Sequence, residues 1–91
     1  MKYVLFYESG ADVASNAPPL FPAHRARLDE FHARGSLVMV GTFEDAQANG
    51  SMAIFTSREA AQGFARDDPF VVHGVVARWR VLEWNEILAG P

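Results

Sequence analysis

Apolar residues along this chain follow two rhythms, one of strands and one of helices. "KYVLFY", residues 2–7, is apolar or aromatic at both parities, the pattern of a strand covered on both faces and therefore of a central strand. "ESGADVASNAPPL", residues 8–20, has no period and is rich in Gly, Ser, Ala, Asn and Pro, which predicts a loop over the end of the sheet. From Leu20 to Arg34 the spacing turns helical; Pro22 is tolerated in a first turn, and Gly35 supplies the stop. Wound at about 100° per residue, Leu20, Phe21, Leu28 and Phe31 share one stripe, and Arg25, Asp29, Glu30, Ala33 and Arg34 lie opposite. His24 falls in the middle of the apolar stripe.

"SLVMVGTF", residues 36–43, predicts a second strand. "EDAQANG", with its Asn49-Gly50 pair, predicts a loop or turn into a third strand, "SMAIFT", so that the two form a hairpin. Thr56-Ser57-Arg58-Glu59 has the spacing of a capping box, which starts a helix running from about Ser57 to Asp67. Pro69 disfavours helical geometry at the residue before it and ends that helix at Asp67 or Asp68. Beyond it, the apolar Phe70-Val71-Val72 run hands over to "VVARWRVLEW", which alternates as a fourth strand. Val75, Ala77, Trp79 and Val81 fall on one face, with Val76, Arg78, Arg80 and Leu82 on a mixed second face.

The order β-α-β-β-α-β predicts an α+β, ferredoxin-like domain: an antiparallel sheet with both helices on one side. Two helices cover one face only, yet the first three strands are apolar on both. The uncovered side therefore calls for a partner, most simply a second copy of the sheet in a two-fold homodimer.

Composition narrows the function classes. Ninety-one residues, 49% hydrophobic and 21% charged, make one folded domain and leave no room for a second. Eleven acids against one lysine and seven scattered arginines give a net charge of -3, without the basic stripe that replaces phosphate counterions in a nucleic-acid binder. No cysteine is present, so disulfides, thiolate nucleophiles and zinc-thiolate sites are excluded. No apolar run nears the roughly 18 residues of a membrane span, and no basic segment with a long apolar stretch opens the chain. The expectation is a cytoplasmic protein with no membrane and no nucleic-acid partner.

Two residues stand out as chemistry. His24 puts a titratable imidazole on a buried stripe, where it needs a hydrogen-bond partner. Asp68, projected on its helix, lies beside Ala61 and Phe64 on the inner side, whereas Asp67 turns to the rim. A split βαβ sheet carries roughly antiparallel helices, which brings the start of the first beside the end of the second. A carboxylate there could hold one imidazole nitrogen and leave the other free as acid or base. Tyr7, Phe21 and Phe43 would line the pocket, and Gly41-Thr42 marks a bend that lets a ligand approach the backbone. His32 and His73 read as structural or solvent-facing, and three isolated histidines make no metal site. Arg78 and Arg80 suit an edge strand guarded by charge, and Trp79 and Trp84 suit packing. Neither a phosphate loop, a serine elbow nor a dinucleotide fingerprint occurs, so no cofactor is expected.

"MKYVLFYE", "PAHRARLDEFHARGSLVMVGTF", "GSMAIFTSREAAQGFARDDPFVVHGVV" and "WRVLEWNE" together resemble the YciI-like (YCII-related) family over nearly the whole chain. The resemblance implies a dimeric ferredoxin-like α/β barrel whose pocket holds a His-Asp pair, matched here by His24 and Asp68. One type of member is a dehydrochlorinase acting on a chlorinated hydroxyquinone, which implies proton transfer on a small cyclic or phenolic ligand, of a lyase or dehydrochlorinase kind. The alternative is a non-catalytic small-molecule-binding or accessory dimer. Two departures stand out: many members carry Arg where this chain has Phe21, and Gly-Pro where it has Gly41-Thr42.

Overall fold

Strands β1 (Lys2–Ser9), β2 (Leu37–Thr42), β3 (Ser51–Phe55) and β4 (Val76–Trp84) form one antiparallel sheet in the order β2-β3-β1-β4 in the computed structural model, which describes residues 1–91. Chain order is β1, α1 (Val13–Asn16), a 3₁₀ turn (Pro18–Leu20), α2 (Phe21–Ala33), β2, α3 (Ala46–Asn49), β3, α4 (Arg58–Asp67), α5 (Pro69–Val72) and β4. The architecture is the ferredoxin-like α+β arrangement, with the doubly apolar β1 in the interior of the sheet as its pattern predicts. α2 packs over β2, and α4 packs over β1, β3 and β4.

Strand register fixes what the helices meet. Leu5 pairs with Ala53 and Val81, and Tyr7 pairs with Ser51 and Trp79, so these side chains share the helix-covered face. Val4, Phe6, Met52, Ile54, Arg80 and Leu82 point to the open face by the same alternation. Leu5, Phe55, Ala61, Phe64 and Ala65 are essentially inaccessible and form the centre of the core. Phe31, Phe55 and Phe64 meet edge-on or tilted, with centroids 5.1–6.2 Å apart, a geometry that suits aromatic quadrupoles.

The helix ends follow local chemistry. Ser36 N–H donates to Phe31 O and Gly35 N–H to His32 O, closing α2 with the paired bonds of a Schellman turn; Gly35 takes the left-handed conformation this needs, with φ 81°. α4 starts one residue later than the capping-box reading, because the Ser57 hydroxyl, not that of Thr56, accepts from the Ala60 N–H.

Several expectations are corrected. The 8–20 segment contains α1 and the 3₁₀ turn, so Leu20 precedes α2 rather than opening it. The stretch before Gly50 holds the one-turn helix α3. Phe70-Val71-Val72, assigned to no element from the sequence, lies in the one-turn helix α5, since Pro69 is as well suited to start a helix as to stop one. Val76 joins the core instead of the second face, because the register shifts between Glu8 and Ser9 and rotates the start of β4. Trp79 packs on the core, whereas Trp84 stays half exposed on the open face. β4 is an edge strand, and Arg78 pairs with Glu8 at 3.0 Å while Arg80 lies over the Phe6 ring.

Candidate active site

Asp68 sits at the junction of α4 and α5, and its backbone is extended (φ -66°, ψ 125°), as the following proline demands. That geometry turns its side chain inward, where it is completely buried. Three donors converge on it. His24 Nδ1 lies 2.8 Å from Oδ1 and 3.0 Å from Oδ2, the Tyr7 hydroxyl donates to Oδ2 at 2.6 Å, and the Phe70 N–H donates to Oδ1 at 3.1 Å. All three neighbours can donate, so an ionised carboxylate satisfies the set, with the hydrogen of His24 Nδ1 directed at it. Nε2 has no protein partner.

Each member is placed by its element. His24 is the fourth residue of α2, on the face turned toward α4, and is 8% exposed. Phe70 lies flat against the imidazole, with centroids 3.9 Å apart at 10°, while Phe64 meets it edge-on. Asp68, Pro69 and Phe70 thus act in succession: one holds the ring by hydrogen bond, one sets the turn, and one fixes the ring plane. Burial, reinforced by the charge and hydrogen bond of Asp68 and opposed weakly by Arg27, pushes ionisation of the Tyr7 phenol far above its ordinary 10.0. The phenol therefore remains a donor throughout the neutral range.

His24 borders a cavity of about 350 Å³ between α2 and the sheet. The lining is chiefly apolar, with Leu5, Val40, Ala53 and Val76 below and Phe21 and Leu28 above. Small residues create the space: Ser51 and Ala53 stand on the helix-covered face where larger side chains would fill it. Gly50, at φ 73°, brings its backbone so close that a Cβ would run into the Tyr7 carbonyl. The rim is clamped by Gln47, whose side-chain oxygen accepts from the Val13 N–H while its amide donates to the Gly10 carbonyl.

Of the residues singled out from sequence, the fold brings His24, Asp68 and Tyr7 into direct contact. Phe21, Gly41 and Thr42 line the same cavity. Phe43 does not line it, a departure from the expectation: Thr42 faces the cavity, so alternation turns the next residue away. His32 and His73 are exposed, and no group of three or more His, Cys, Asp or Glu side chains could hold a metal ion. Sequence reasoning missed Ser51, Phe70 and Gln47. Ser51 was findable once the hairpin register pairs it with Thr42; the stacking of Phe70 and the clamp of Gln47 depend on two one-turn helices too short to show a period.

The fold and site together define a small α+β protein with a His-Asp-Tyr cluster at the wall of an apolar cavity. The chain belongs to the YCII-related domain family, whose model matches residues 1–85. It is similar to Protein YciI of Escherichia coli O6:H1 and to Protein YciI of Shigella flexneri, each 36% identical over 97 residues spanning 96% of this chain and 99% of the relative. Among solved structures it is similar in fold to the 5-chloro-2-hydroxyhydroquinone dehydrochlorinase TftG of Burkholderia phenoliruptrix AC1100, in complex with 2,5-dihydroxybenzoquinone. The TM-score is 0.73 with 21% identity, covering 93% of this chain and 94% of that one.

Proposed function

We propose that this protein is a small-molecule enzyme of the cytoplasm in which His24, oriented by Asp68, moves a proton on a cyclic or phenolic ligand. The observation that carries the reading is the 2.8 Å contact between His24 Nδ1 and Asp68, which leaves Nε2 without a protein partner on a residue that lines an apolar cavity. In a lyase-like reaction Nε2 takes a proton from a carbon or oxygen bonded to the carbon that carries the leaving group; the released electron pair forms the new double bond to that carbon, and the leaving group departs with the pair of its own bond. The carboxylate stabilises the imidazolium that results. A fold neighbour named as a dehydrochlorinase, bound to a dihydroxybenzoquinone, supports a ring compound as ligand.

The catalytic unit is a homodimer in this reading. Met39, Leu82 and Trp84 are 46–60% exposed on the open sheet face beside Phe6 and Met52, an apolar surface suited to a second copy. A non-catalytic binding module is favoured by one observation: Tyr7 is committed to Asp68, so the cavity lining offers no second free titratable group.

A thermal-shift screen of phenols and quinones, run on wild type and His24→Ala and followed by turnover assays on the hits, tests the reading. Hits are expected with wild type, together with turnover that His24→Ala lowers at least about 100-fold, the scale of one general acid-base group. Unchanged turnover in His24→Ala would discard the catalytic role, and hits without turnover would favour the binding module. A monomeric mass at micromolar concentration would discard the dimer.

A further inference from the structure

The cavity lining contains no lysine and no arginine, and none of its residues is acidic. Two of its lining residues, His24 and Tyr7, are hydrogen-bonded to a negative group, the completely buried Asp68. An anion brought into this space would lose water to an apolar wall and face that carboxylate with at most one imidazolium in compensation. Arg27, a half-buried guanidinium, lies 5.2–5.3 Å from the Phe31 and Phe64 ring centroids and donates to the Gly63 and Phe64 carbonyls; it does not line the cavity. At the start of α2 the Phe21 N–H is taken by Pro18 O and Pro22 has none to give, which removes two of the four N–H groups that a helix start can offer an anion.

Two hydroxyls in the lining are free of protein partners. Thr42 and Ser51 are direct partners across the β2-β3 ladder, both line the cavity, and neither side chain hydrogen-bonds to another protein group, unlike Ser9, whose hydroxyl donates to Ala46 O. Hydroxyls can donate or accept, so the pair suits a carbonyl or hydroxyl oxygen. We infer that the cavity selects an uncharged ring compound, one of whose oxygen substituents is held by Thr42 and Ser51, and that it rejects the corresponding anion. The inference rests on the small-molecule reading above and narrows it to a charge class. Phe21 is the residue that maintains the selection: it is half exposed at the cavity, one turn before His24, where a cation could otherwise stand.

Para-hydroxybenzamide and para-hydroxybenzoate have nearly the same shape and differ in charge at neutral pH, so titrating both onto the full-length protein isolates the term. Wild type is expected to bind the amide at least about tenfold tighter than the benzoate. Phe21→Arg, at an exposed position that should leave folding intact, is expected to improve benzoate binding about tenfold through a charge-assisted contact. Ser51→Ala should weaken the amide several-fold. Equal or tighter benzoate binding by wild type would overturn the charge selection and leave the small-molecule reading standing. Failure of wild type to bind either probe would count against both.

Discussion

Under α2 and α4 the sheet is packed shut at one end and hollow at the other, and both ends are supplied by the same strands and helices. At the closed end, Leu37 and Phe55 meet Phe31, Phe64 and Ala61 with almost no exposed surface. At the open end, about 13 Å along β3 at the usual strand rise, Ser51 stands beside Tyr7 and Thr42 and leaves a cavity. The closed end joins large rings to small helical residues. The open end pairs small sheet residues with a polar cluster. The first is the packed core and the second the site of the proposed chemistry, and Phe64 belongs to both, touching Phe31 and Phe55 on one side and His24 on the other.

The sharpest way to break the division is at the closed end. Phe55→Ala should cost about 3–5 kcal/mol, the usual range for a fully buried ring, a large part of the stability of so small a domain. Urea unfolding would measure it; a loss below about 1 kcal/mol would show that the aromatic cluster does not hold the fold.

At the open end, Asp68→Asn should cost about 2–3 kcal/mol, because an amide cannot accept from Tyr7, His24 and Phe70 together. Any discovered turnover should fall by much more than this stability loss explains, since His24 also loses the group that sets its tautomer. Tyr7→Phe should cost less, about 1.5–2 kcal/mol for one hydrogen bond to a charged group. It also has a pH signature. The folded phenol ionises far above its ordinary 10.0, so up to that pH both folded and unfolded chains keep the proton and stability is intact. Above it, the unfolded chain releases the proton first and stability declines with rising pH. In alkaline unfolding curves, Tyr7→Phe should lack this part of the decline.

The gentlest contrast introduces a valine at each end. Ala61→Val, at a completely buried site in the core, should destabilise by on the order of 1 kcal/mol through overpacking. Ser51→Val points into the cavity and should change stability by less than about 0.5 kcal/mol while obstructing ligand. Equal effects at the two sites would erase the distinction.

The closed end was largely legible in the sequence because it is built from long periods: the stripe carrying Phe31, the doubly apolar β1 and the helix ending at Asp67. His24 and Asp68 were legible for the same reason, as polar residues out of place on apolar faces. What surrounds them was less so. Pro69 ends one helix and begins the next, and which role dominates depends on Asp68 caps that only the folded chain brings together. Val76 changed faces through a bulge set by pairing with β1, and Phe43 lost its expected place because the register of β2 assigned the cavity side to Thr42. Short helices and registers are decided by tertiary contacts, and the cavity is bounded by both.

Heteronuclear NMR of the His24 ring nitrogens, with and without para-hydroxybenzamide, tests the central claim most directly. The account predicts that Nδ1 carries the hydrogen in the free protein, that Nε2 does not, that ligand shifts the Nε2 resonance, and that Asp68→Asn removes the tautomer preference. Hydrogen on Nε2, or a ring that ignores both ligand and Asp68→Asn, would contradict it.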